Sequence, residues 1–162
     1  MSNASEDVDS FALQTVVVKA PDPAGPAQPA APAFYQLLSP FPVVRLAGRI
    51  ASAGTTLRLF SIVAPSGARV VVDCRGHGCP FRSSARSATA PRDGKVHASA
   101  SLRIRKLERR LLKKGVRIRV YVTKPGTVGK YVLFKFRKMR PPTRIDRCLM
   151  PAAPSKAVEC PS

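Results

Sequence analysis

The sequence predicts an all-β protein, an antiparallel β-sandwich with one short helical connector, on three observations. Apolar and polar residues alternate with a period of two along short segments between Val43 and Phe136, as half-buried strands require. Turn signals such as PSG at 65–67 and KPG at 124–126 separate those segments at regular intervals. No stretch repeats a helical period, which argues against a helical bundle or an alternating α/β arrangement. Residues 20–33, APDPAGPAQPAAPA, carry no hydrophobic period and read as an extended spacer. The expected organisation is a flexible Pro/Ala-rich arm over 1–40 and one basic sandwich domain over 41–162. Within the arm, DSFALQTVVVKA reads either as disordered chain or as a short docking strand.

Taken in order, PVVRLAGRI is the first strand, with Val44, Leu46 and Ile50 inward and Arg45 and Arg49 outward. TTLRLFSIVAP has Leu57, Leu59 and Val63 on one face, but Phe60 and Ile62 make the other face apolar too, so it should be central or covered. ARVVVDC follows the PSG turn and is expected to form a hairpin with TTLRLFSIVAP. In KVHASASLRIR, Val96, Ala98, Ala100, Leu102 and Ile104 face the core. KLERRLLKKG places Leu107 and Leu111 four apart and stops at Gly115, which predicts one or two helical turns with a glycine C-cap. VRIRVYVTKPG buries Val116, Ile118, Val120 and Val122, and GKYVLFKFRKM buries Val132, Phe134 and Phe136, as a second hairpin.

The helical connector placed before a strand of the form VRIRVYV resembles the crossover between the fifth and sixth strands of immunoglobulin-like domains. The sequence has no Trp, so the resemblance is to a generic immunoglobulin-like or fibronectin-type sandwich rather than to an antibody domain. A second likeness rests on GVRIRVYVTKPGTVGKYVLFKFRK, on PPTRIDRCL after it and on CRGHGCP before it. Over about residues 41–150 these strings resemble an uncharacterised β-domain family of envelope-associated proteins from high-GC Gram-positive bacteria. That resemblance implies an extracytoplasmic, non-catalytic β-domain with local disulfides, often following a membrane segment and a Pro/Ala spacer. It assigns no functional residues. In this sequence no apolar run is long enough to span a bilayer, and FALQTVVV lacks the basic flank of a signal peptide. The opening MSNA reads either as a native start or as the Ser-Asn-Ala remnant of an expression tag.

Four cysteines allow three pairings. The most local set joins Cys74 to Cys79 and Cys148 to Cys160; Gly76 and Gly78 let the small ring close, and the second crosslink ties the tail to the end of the last strand. Loop entropy gives the small ring about 2 kcal/mol and the larger about 3 kcal/mol. Zinc is the rival, but C-x4-C followed much later by C-x11-C lacks the paired knuckles of structural zinc sites, so no metal and no cofactor is expected. Free thiols beside Arg75 and Arg82 would be reactive, yet no C-x-x-C is present. Disulfides favour an oxidising compartment, hence an extracellular or cell-envelope location.

Catalysis has little to stand on. His77 sits in a glycine turn and His97 on a polar strand face, neither beside a sequence-adjacent carboxylate, and Asp73 and Asp146 read as salt-bridge partners among many arginines. GTVGKY lacks the spacing of a phosphate loop, and no small-molecule substrate is indicated. The expectation is a protein that is not an enzyme. What remains is charge: net +19 overall, with residues 41–150 carrying 26 Lys and Arg against Asp73, Asp93, Glu108 and Asp146. Alternation turns Arg45, Arg49, Arg103, Arg105, Arg117, Arg119, Lys135 and Arg137 outward, and Arg109, Arg110, Lys113 and Lys114 cluster on the connector. Such an excess attracts polyanions. The expected partner is an anionic envelope polymer or a lipid headgroup surface; the alternative is a cytoplasmic protein with reduced thiols that binds nucleic acid without sequence preference. Exposed aromatics are scarce, with Tyr121 and Tyr131 as candidates for base stacking, and no nucleic-acid-binding signature is present.

Overall fold

Strands form where the alternating segments find partners. The computed structural model describes residues 35–161, and its fold is all-β, with two antiparallel sheets sharing one core. In chain order the strands are β1 (Gln36–Leu37), β2 (Val43–Ala51), β3 (Gly54–Pro65), β4 (Arg69–Arg75), β5 (Ser83–Ser87) and β6 (Ser99–Arg103). After a 3-10 turn at Arg105–Leu107 come β7 (Leu111–Leu112), β8 (Arg117–Thr123), β9 (Thr127–Arg137), β10 (Arg140–Leu149) and β11 (Ala157–Val158). The large sheet runs β11-β10-β9-β8-β4-β5, with β1 parallel to the start of β9. The small sheet runs β2-β3-β6, with β7 paired to the start of β3.

Alternation decides which side chains enter the core. Val70, Val72 and Cys74 of β4, Ile118, Val120 and Val122 of β8, and Val132, Phe134 and Phe136 of β9 all point inward and are buried. From the small sheet Val44, Phe60, Ile62, Ala64 and Ala100 meet them. Phe60 packs edge-on against Phe134 with ring centroids 6.1 Å apart, joining the two sheets through an aromatic pair.

The doubly apolar β3 has a specific cause. Its register with β2 shifts between Ala47 and Gly48, where Ala47 opposes Leu59 and Gly48 opposes Leu57, so Arg58 is the extra residue of a β-bulge. The bulge inverts the alternation. Leu57 and Phe60 therefore both reach the core with no exposure at all, while Leu59 and Val63 stay only half-buried on the outer face. Ile50 keeps the inward register, opposite buried Thr55, but it stands one residue from the end of β2 and is 39% exposed, against the expectation that it packs inside.

Four further expectations are corrected. The first hairpin does not form: β4 follows β3 across the turn at Ser66 and Gly67 but pairs with β5 and β8 in the large sheet, not with β3 of the small one. Leu38 is buried and β1 belongs to the sheet, so ordered structure begins upstream of Phe41. The proposed arm before residue 35, with its docking piece, lies outside the described residues. The strand expected from Lys95 begins at Ser99, because its partner β3 ends at Pro65; Val96 is fully exposed and Ala98 is exposed. The connector is not a helix of one or two turns. It makes a single 3-10 turn and then a strand, so Leu107 and Leu112 are buried whereas Leu111 is 38% exposed. Backbone pairing outweighs helix propensity here: Arg109 N–H donates to Leu57 O at 2.7 Å, and β7 pairs Leu111 and Leu112 with Thr56 and Thr55. Gly115 does take a left-handed conformation, φ 88°, but in the turn entering β8.

Two strands lay outside the alternation pattern. β5 is SSARS, polar because it is a sheet edge exposed on nearly every residue. β10 contains Pro141 and Pro142, which sit at the register break between Arg140 and Thr143, on a flank where no further strand needs their missing N–H groups. Both disulfides are formed as the local pairing expects, Cys74 to Cys79 with Cα atoms 5.6 Å apart and Cys148 to Cys160 with Cα atoms 4.9 Å apart. The second stands beside β11, which pairs Val158 with Cys148 and so holds the tail on β10. All four sulfurs are thereby spent, and none remains as a thiolate ligand or a reactive thiol.

A cationic end and an arginine-lined depression

The antiparallel ladder gathers cations that are scattered in sequence. Arg75 at the end of β4 opposes Arg117 at the start of β8, and Arg117 opposes Lys135 of β9. Beside this row, β9 and β10 meet at Arg137 and Arg140, with Lys138 in the turn between them. The turn entering β8 carries Lys113 and Lys114; it is pinned there because Lys113 N–H donates to His77 O and Gly115 N–H to Phe136 O. Eight exposed cations thus converge at one end of the sandwich. None of the acids among the described residues lies there. Asp73 sits a row further in, opposite Arg119; Asp93 is in the loop before β6, Glu108 in the connector, Asp146 mid-strand in β10 and Glu159 in the tail.

The twelve sequence-selected cations therefore divide. Lys113, Lys114, Arg117, Lys135 and Arg137 join the cationic end, and Arg49 lies near it at the end of β2, opposite Thr56. Arg119 is half-buried on the same outer face. Arg45 and Arg103 occupy the outer face of the small sheet on either side of Ser61. Arg103, Arg105 and Arg109 border a separate open depression, and Arg110 follows it on the exposed approach to β7. Alternation identified most of these positions. Arg75, Arg140 and Arg58 escaped it, because a strand end and a bulge reveal their place only through the partner strand.

All the acids among the described residues except Asp73 are committed to ion pairs elsewhere. Asp146 accepts from Arg144 Nε at 2.6 Å and Nη2 at 2.9 Å, and Lys130 Nζ lies 3.3 Å away. Arg144 also donates to Val44 O at 2.9 Å, so this ion pair links the two sheets. Asp73, expected to pair, makes no ion pair among the described residues. His97, with no carboxylate directly beside it in sequence, has one in space: Asp93, four residues earlier, lies 2.8 Å from its Nε2. Tyr121 and Tyr131 pack against each other, centroids 5.1 Å apart and both half-buried, and burial pushes the Tyr121 phenol above its ordinary pKa.

Hydrogen bonding from Arg144 holds the Asp146 carboxyl below its usual pKa against the opposing effect of burial. A depressed native pKa stabilises the fold above the unfolded-state value, and that contribution is lost as pH falls through the carboxylate range near about 4 and below. The expected result is a Tm that falls on acidification, with a shallower fall in Asp146→Asn. Equal acid slopes for the two proteins would show that the Arg144–Asp146 link does not shape acid stability.

No known protein family, curated protein or solved structure matches this chain. Fold and site together define a basic, doubly crosslinked antiparallel β-sandwich. Closed disulfides belong to an oxidising, extracytoplasmic environment. Among the described residues, no helix is long and apolar enough to cross a membrane.

Proposed function

We propose that the domain is a non-catalytic, extracytoplasmic module of the envelope-associated kind its sequence resembles, with a structural or adhesive role. It contacts anionic cell-envelope polymers or lipid headgroups through its cationic end. The observation that carries this reading is the convergence of Arg75, Lys113, Lys114, Arg117, Lys135, Arg137, Lys138 and Arg140 at strand ends without an intervening acid. Unrelieved like charge destabilises a small fold, and an anionic surface relieves it by binding and releasing counterions. The packed tyrosine pair supports this reading over base stacking, since each ring already has a partner.

Affinity for vesicles containing anionic lipid, for a teichoic-acid-like polymer and for DNA is expected to fall steeply with salt and to discriminate little by sequence. Paired charge reversal, Lys113→Glu with Lys114→Glu, is expected to weaken binding at low salt by about tenfold or more while leaving Tm nearly unchanged, because these side chains are exposed. Arg117→Glu with Arg119→Glu should likewise weaken binding, with Arg117 contributing more because Arg119 is half-buried opposite Asp73. Wild-type affinity in both variants would overturn the proposal. A salt-resistant preference for one nucleic-acid sequence would replace it with nucleic-acid recognition.

A further inference from the structure

The bulge in β3 and the turn after β6 shape an open depression of about 570 Å³ lined by Arg58, Arg103, Arg105, Glu108 and Arg109. Its floor is fixed by hydrogen bonds. Glu108 Oε1 accepts from Arg103 Nε at 2.6 Å and from the Phe60 N–H at 3.3 Å, which seats the carboxylate on the β3 edge that neither β6 nor β7 covers. Arg109 stands in the left-handed region, φ 59°, held by its N–H bond to Leu57 O. A residue other than glycine keeps that conformation only where its surroundings enforce it, and here the enforcement presents an arginine to the depression. Arg58 is delivered by the bulge itself.

Charge and donor geometry then define what fits. Arg103 is matched by Glu108, whereas Arg58, Arg105 and Arg109 have no ion-pair partner among the described residues. Glu108 is held in its charged form by the hydrogen bond from Arg103. Its second oxygen, Oε2, makes no hydrogen bond among the described residues and remains an acceptor beside three unpaired guanidiniums. Guanidinium groups grip tetrahedral oxyanions through paired N–H donors, and a fixed carboxylate oxygen accepts from a hydroxyl. The volume exceeds that of a bare phosphate and suits a ligand of sugar size.

We propose that this depression is a binding site for a phosphorylated or sulfated sugar, its oxyanion held by Arg58, Arg105 and Arg109 and a hydroxyl donated to Glu108 Oε2. The site shares no residue with the cationic end, so it stands whether or not that end binds polymers. It would let the domain take a sugar-phosphate unit of a larger glycan.

The test is a titration of the whole chain in 150 mM salt, a level at which diffuse attraction is screened within about 8 Å. Glucose 6-phosphate, glucose 6-sulfate, glucose and inorganic phosphate are the probes, read by calorimetry and by amide shifts around Phe60, Arg105 and Arg109. Saturable binding of the two esters, at least tenfold tighter than inorganic phosphate and with none for glucose, is the expected result. Arg58→Ala and Arg109→Ala should each weaken ester binding by about tenfold, with folding checked by Tm. Lys113→Glu with Lys114→Glu should leave it unchanged. Equal affinity for inorganic phosphate and the esters would overturn the hydroxyl contact. Non-saturable shifts spread over all surface arginines, or unchanged affinity in both arginine variants, would overturn the site.

Discussion

Phe60→Ala is expected to lower the unfolding free energy by about 3–5 kcal/mol, the usual cost of emptying a buried aromatic position. Phe60 is fully buried in the central strand of the small sheet, and its ring edge rests on Phe134 of the large sheet. Its removal therefore opens a cavity between the sheets rather than within one. The bulge at Arg58 keeps Leu57 next to that cavity, and a bulged strand tied to β2 on one side and to β6 and β7 on the other cannot readily collapse into it. Chemical denaturation should show a lower midpoint with an unchanged slope. A loss below about 1 kcal/mol would mean that the two sheets do not depend on this contact.

Removing both crosslinks, with alanine at Cys74, Cys79, Cys148 and Cys160, is expected to cost about 5 kcal/mol by the loop-closure account. Small domains commonly hold only about 5–15 kcal/mol in total, so the fourfold variant should be marginal or unfolded near 37 °C. The two crosslinks differ in what they release. Cys74 is a core residue at the end of β4, so opening the small ring loosens the turn that carries His77 and anchors Lys113. Opening Cys148–Cys160 leaves β11 attached to β10 by only two residue pairs, and limited proteolysis should then remove the tail first. A fourfold variant with the wild-type denaturation midpoint would dissolve the link between these cysteines and an oxidising compartment.

The outline of the fold was legible in the sequence because period-two alternation is a local property of any strand with one buried face. It located the cores of β2, β3, β4, β8 and β9, and chain proximity sufficed for the two cysteine pairs. Where alternation was silent or misleading, a non-local partner was responsible. SSARS carries no apolar signal, yet it pairs as β5 because β4 offers a free edge. KVHA alternates well, yet it stays outside β6 because β3 has already ended at Pro65. The connector KLERRLL has a helical spacing, but the open edge of β3 captures its backbone instead.

The candidate sites divide along the same line. By itself, the sequence determined that this protein is strongly basic, built of strands, crosslinked locally, and turned outward at most of its arginines. Only the tertiary structure decided that residues as distant as Arg75, Lys113 and Lys135 share one acid-free end, since register joins strand ends that the chain keeps far apart. It likewise decided that Arg58 and Arg109 line one depression with Glu108, because a bulge shows in the sequence only as a strand apolar on both faces and not as the position of the extra residue.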